Sequence, residues 1–272
     1  MNRIKDTFKK LKNNNQKAIG IFLTAGDPDF ETSLTIIENL PSKGVDFIEI
    51  GMPFSDPMAD GPSIQLSSQR ALKSGMNINK CLNLVKNFRN KNNNTPIVLM
   101  GYYNPIYIYG KERFVQDCIE IGVDGLIIVD LPPEEDNEFY NFSEENNLNC
   151  IRLVTPTTNK DRLGKVLLNA NGFVYYVSIT GITGTQTPDF NQVSHNLKKL
   201  KPFTNLPIII GFGIRTLKQA SLMSEIADGI VVGSAVVDLI KSTLDNKDKP
   251  TKETIKECLD FIFKISKQIK HN

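Results

Sequence analysis

The chain has 272 residues, 40% hydrophobic and 23% charged, with 32 basic against 30 acidic side chains and a formal charge of +2. Such a composition is that of a soluble globule able to bury one barrel-sized core or two smaller ones, and the balanced charge argues against a nucleic-acid partner. No apolar run reaches 18 residues and the first ten residues hold no signal-peptide core, so the expectation is a protein that neither spans a membrane nor is exported.

In chain order, the early lysines (Lys5, Lys9, Lys10, Lys12, Lys17) read as the solvated face of an N-terminal helix. Short apolar, β-branched runs follow at 18–24, 47–51, 97–101, 125–130, 150–155, 173–178, 208–211 and 230–233. Helical periodicity lies between them at 30–44, 78–89, 112–122, 133–146 and 217–225; in 112–122, Phe114, Val115, Cys118 and Ile119 share one face. Start signals support several of these: Asp29 after Pro28, Pro132-Pro133 before Glu134-Glu135, and Asn159 with Asp161. Eight strands alternating with helices predict parallel βα units. At this length they predict an α/β (β/α)8 TIM barrel, one domain over 1–272, with a doubly wound open sheet as the alternative.

The shortest strand-to-strand spacing is 22 to 24 residues, yet 50 separate Gly51 from Gly101 and 33 separate Ser178 from Gly211. Extended loops are therefore expected after the second and sixth strands, on the catalytic face of a barrel. The asparagine patches at 13–15 and 92–94 fall on the opposite face and receive no role.

Cys81, Cys118, Cys150 and Cys258 have no paired spacing, which predicts reduced structural thiols and argues against zinc. The two histidines, His195 among polar neighbours and His271 next to last, do not form a triad or metal cluster. Any enzyme chemistry thus falls to carboxylates, tyrosines, hydroxyls and backbone amides. Glu49 sits inside a strand, where an acid is costly unless paired, solvated or used. The loop after it, rich in Pro, Ser, Asp and Gly, ends in a second acid, Asp60. Together they form a candidate acid–base pair, or alternatively a salt-bridged strand acid beside an ordinary loop. Three glycine turns follow the last three strands, at Gly181 to Gly184, Gly211 to Gly213 and Gly233-Ser234. Close amide approach and a helix starting just beyond suit a phosphate there, with Gly213, Gly233 and Ser234 converging and Gly184 closing from the side. The strand cores lack a Schiff-base lysine, so carbon–carbon cleavage would need a substrate with its own electron sink, such as an indole ring. Tyr102 and Tyr103 read as packing at the barrel mouth, Asp130 as a cap or turn residue, and Arg215 is left without a role.

Six blocks together resemble the tryptophan synthase alpha chain family. They are Phe22 to Pro28, Glu49 to Pro62, Tyr102-Tyr-Asn-Pro105, Asp130-Leu-Pro-Pro-Glu-Glu135, Thr180 to Gly184 and Gly211-Phe-Gly-Ile214, with matches running from about residue 19 to residue 236. The resemblance implies a lyase that splits indole-3-glycerol phosphate into indole and glyceraldehyde 3-phosphate. It implies Glu49 as general acid–base, Asp60 beside the indole nitrogen, and Phe22 and Tyr175 lining the pocket. Thr183 and Gly184 would lie on a mobile loop, and Gly213, Gly233 and Ser234 would bind phosphate. It further implies an alpha2-beta2 heterotetramer with a beta chain that carries pyridoxal phosphate, while this chain binds no cofactor and no metal. The loop from Met52 to Asp60 would face that partner. The expected location is cytoplasmic, or the plastid stroma for an organelle-encoded chain. Three alternatives stay open: a free-standing lyase releasing indole, another phosphosugar barrel such as an isomerase, and a catalytically silent activating subunit.

Overall fold

A strand covered on both faces reads as a nearly continuous apolar run, and the runs of this chain behave accordingly. In a computed structural model, describing residues 2–135, 137–178, 189–211 and 213–270 without the side chains of Asn137 and Glu138, each run forms a buried parallel strand. The first half runs α1 (Arg3–Asn13), β1 (Ala18–Thr24), α2 (Phe30–Asn39), β2 (Phe47–Gly51), α3 (Pro62–Lys73), α4 (Ile78–Arg89), β3 (Ile97–Gly101), α5 (Tyr103–Tyr109), α6 (Lys111–Glu120) and β4 (Gly125–Ile128). The second half runs α7 (Asn137–Glu145), β5 (Asn149–Cys150), β6 (Arg152–Val154), α8 (Lys160–Leu167), β7 (Val174–Val177), α9 (Phe190–Leu200), β8 (Ile208–Gly211), α10 (Leu217–Ile226), β9 (Gly229–Val232), α11 (Ser234–Ser242) and α12 (Lys252–Lys270).

The sheet order is β5-β4-β3-β2-β1-β9-β8-β7-β6. Its two ends are halves of the single strand expected at 150–155, interrupted at Ile151, whose amide donates to Leu126 O at 2.9 Å. One half pairs with β4 and the other with β7, so the sheet closes on itself as a (β/α)8 barrel. Two expected helices are shorter than their periodicity. Pro41 ends α2 early, leaving a 3-10 turn over Pro41–Lys43 and Gly44 at φ +84°. In the stretch 133–146, a 3-10 turn over Pro133–Glu135 precedes α7.

Alternate strand residues fill the barrel. Phe8 from α1 enters the N-terminal end and meets Phe47 and Phe173, with ring centroids 6.0 and 5.8 Å away and 5.3 Å between the latter two. Ile4, Phe8 and Leu11 form the buried stripe of α1, while its lysines face outward. The same end is fastened by three aspartates that each precede a strand. Asp46 accepts the Ile19 amide at 2.9 Å, Asp124 that of Ile97 at 2.8 Å, and Asp228 that of Ile208 at 2.8 Å. Arg3 and Arg89 pair with Asp124, and Lys270 pairs with Asp46. This end carries structural polar bonds, which leaves the C-terminal loops to carry chemistry. Among the described residues no helix is long and apolar enough to cross a membrane.

Candidate active site

In β2 the odd positions point into the barrel, so Glu49 does too; it is the register partner of Phe22 on β1 and of Val98 on β3. Glu49 is 0% exposed. Its Oε2 accepts from the Tyr175 hydroxyl at 3.4 Å, and its Oε1 makes no hydrogen bond among the described residues. Burial pushes its carboxyl up to about 8, against the smaller opposing effect of the Tyr175 hydroxyl. Burial and the neighbouring Glu49 hold the Tyr175 phenol well above its ordinary range, so it remains a donor.

Asp60 ends the loop between β2 and α3. Its amide donates to Pro57 O at 3.0 Å, and its carbonyl accepts from Gln65 Nε2 at 2.8 Å. The half-buried carboxyl is pushed up to about 6 by desolvation, opposed by a hydrogen bond from the Tyr102 hydroxyl. Tyr102 also accepts the Ala59 amide at 3.0 Å and packs its ring 5.3 Å from Phe54. Asp130 accepts the Tyr103 amide at 2.8 Å, capping α5 from a neighbouring loop. Arg215 pairs with Asp238 on α11.

Phe22, Asp60, Tyr175, Gly213, Gly233 and Ser234 line one pocket, with Ile64, Met100, Ile214 and Val231 completing its apolar wall. Glu49 does not line the open pocket; it lies one side chain below, in contact with Tyr175. Thr183 and Gly184 lie outside the described residues. Gly213 takes φ +75°, a conformation other residues rarely adopt. Gly233 caps α11 without a side-chain hydrogen bond, so the first amides of that helix are available to an anion. Two other depressions, one between α7 and α8 and one under α1, hold no pair of buried carboxyls. Among the described residues no three His, Cys, Asp or Glu side chains gather as a metal site.

The pocket floor depends on a large-to-small fit. A Cβ built on Gly211 of β8 would lie 2.1 Å from the Tyr175 ring. Gly211→Ala is therefore expected to push that ring off Glu49, lowering indole release about tenfold and stability by about 1–3 kcal/mol. Steady-state rates and urea denaturation of the variant check this, and parent-like values in both would show that the ring is free to move.

Sequence reasoning missed the second partner of Asp60. Tyr102 is 42 positions away, and the parallel pairing of β2 with β3 brings its hydroxyl to the loop.

A family model described as tryptophan synthase alpha chain matches residues 8–265. Tryptophan synthase subunit alpha from Legionella pneumophila str. Paris superposes with a TM-score of 0.91 at 36% identity, covering 100% of both chains. A structure from Aquifex aeolicus VF5 gives 0.88 at 33% identity over 99% of this chain and 100% of that one. Tryptophan synthase from M. tuberculosis in its aminoacrylate-bound form gives 0.86 at 29% identity, with 99% and 100% coverage. With the motifs in order, the barrel closed and the match running nearly end to end, the chain belongs to the tryptophan synthase alpha chain family.

Proposed function

We propose that Glu49 and Asp60 divide the proton tasks by which this lyase splits indole-3-glycerol phosphate into indole and glyceraldehyde 3-phosphate. The observation that carries the assignment is the placing of the two carboxyls: Asp60 lines the pocket, and Glu49, fully buried, lies beneath it against Tyr175. Burial keeps Glu49 protonated up to about pH 8, while Asp60 ionises above about 6. Two carboxyls set apart in this way supply an acid and an anion at one pH. Glu49 gives its proton to indole C3 beside the scissile bond, converting the ring to an iminium cation. The Asp60 carboxylate accepts the ring N–H and stabilises that charge. The Glu49 carboxylate then takes the proton of the glycerol hydroxyl. The carbon–carbon bond breaks, its electron pair returns to the ring, and the hydroxyl carbon departs as an aldehyde. The net result is a proton moved from hydroxyl to indole C3, which balances with no cofactor on this chain.

Phe22 and Tyr175 serve as the aromatic walls for the ring. Gly213, in the turn after β8, and Gly233 and Ser234, at the start of α11, hold the phosphate through backbone amides, and Thr183 and Gly184 are assigned to the same ligand. The whole of residues 1–272 acts as one domain, in the cytoplasm or, for an organelle-encoded chain, the plastid stroma. The partner is a beta chain carrying pyridoxal phosphate, in an alpha2-beta2 assembly, docking over the loop from Met52 to Asp60. Exposed apolar side chains at that rim support this, with Met58 74% and Ile108 77% accessible.

Incubation with indole-3-glycerol phosphate should release indole and glyceraldehyde 3-phosphate in equal amounts, and an added beta chain should raise the rate at least about tenfold. Changing Met58 and Ile108 together to Asp should weaken that stimulation and leave the isolated rate unchanged. Full speed without a partner, with no stimulation, would favour the free-standing lyase.

A further inference from the structure

Tyr102 is 3% exposed, and its side chain ties the end of β3 to the loop that carries Asp60. The hydroxyl accepts one hydrogen bond, from the Ala59 amide at 3.0 Å, which occupies a lone pair and directs its own O–H toward the Asp60 carboxyl. The Tyr102 ring packs against Phe54 of the same loop. A phenylalanine would keep that ring contact, so the hydroxyl is what distinguishes this position from ordinary packing. Burial and the charge of Asp60 keep the phenol protonated far above neutrality, so it donates throughout the working range.

We propose that Tyr102 is a positioning residue for the lyase reaction: its hydroxyl occupies one oxygen of Asp60, locks the Ala59–Asp60 turn, and leaves the other oxygen facing the pocket to receive the indole N–H. This rests on the assignment of Asp60 given above. The ionisable side chains placed around Asp60 are Tyr102 from the end of β3, Asp56 on its own loop, and Glu49 and Tyr175 deeper in the barrel. Asp130, on the loop after β4, is engaged with the Tyr103 amide. Tyr102 is in hydrogen-bond contact with the Asp60 carboxyl.

The test is Tyr102→Phe, assayed as kcat and KM against pH for indole release by the complex with the beta chain. Loss of the donor makes the carboxylate harder to form, so the acid limb of the kcat profile should move up by on the order of one pH unit. That gives a rate about fivefold lower at pH 6 and close to the parent at pH 8.5, with KM nearly unchanged because the phosphate is held elsewhere. Incorporation of 3-fluorotyrosine at 102, a stronger donor of the same shape, should move the limb the opposite way. A uniform fall at all pH, or an unmoved limb in both variants, would overturn the proposal. Asp60→Asn, measured on the plateau, keeps the two assignments apart. If it loses about 10²-fold while Tyr102→Phe leaves the limb in place, only the role of Tyr102 falls. If it retains full rate, the assignment of Asp60 falls as well.

Discussion

Glu49→Gln is expected to lower indole release by at least about 10²-fold, since it removes the group assigned to donate and then reclaim the proton. Affinity for a non-cleavable phosphate analogue should change little, because the anion is bound by α11 and the glycine turns. Stability should move the other way. In the folded chain the Glu49 carboxyl titrates near 8 instead of the ordinary 4.5. Between those values the unfolded chain has released a proton that the folded chain keeps, so stability declines as pH rises through the window. Glutamine does not titrate. The variant should therefore gain over the parent progressively from about pH 4.5 to about pH 8, with no further gain above. Calorimetric Tm values at pH 5 and pH 8.5 read this directly, and equal gains at both would refute burial of a carboxyl as the cause. The residue that performs the chemistry is thus expected to weaken the fold at the pH where it works.

Arg70→Ala is expected to cause the largest loss of stability, about 3–5 kcal/mol, because it leaves Asp27 buried without its counter-ion. Arg70 on α3 donates to both oxygens of Asp27, at 2.7 and 2.8 Å, and both residues are buried. Close by, Thr24 Oγ1 and Ser67 Oγ lie 2.6 Å apart. These bonds tie the end of β1, beyond Phe22, to the helix that begins two residues after Asp60. Urea unfolding should show the loss, and indole release should fall with it as Asp60 loses its anchor. The double change Asp27→Asn with Arg70→Met removes both charges and should cost much less. If it cost as much as Arg70→Ala, packing rather than charge would be responsible.

Strands and site acids were legible in the sequence for the same reason: burial restricts residue type. An acid in the middle of a buried β-branched run, as at Glu49, stands out because desolvation is expensive. The helix α3 did not stand out, since its buried face is Ile64, Ser67, Ser68, Arg70 and Ala71, and an apolar period of 3.6 is blurred when hydroxyls and a paired guanidinium take core positions. The interruption at Ile151 was equally hidden, because a strand shared between two neighbours has the same composition as an unbroken one. Tyr102 read as packing, because its hydrogen bonds run to the loop of the neighbouring strand, distant in sequence, and no local pattern records them. The substrate came from the motif match; strand spacing and glycine turns pointed to an anion site and two acids without naming the ring between them.

The three mutually tilted phenyl rings beneath the barrel also bear on product traffic. With Phe8, Phe47 and Phe173 sealing the cylinder's lower end, a newly freed indole finds its outlet upward, past the loops. A partner collecting that neutral, membrane-permeable heterocycle would therefore sit as a cover on the loop side, and one approaching from underneath would meet a stopper.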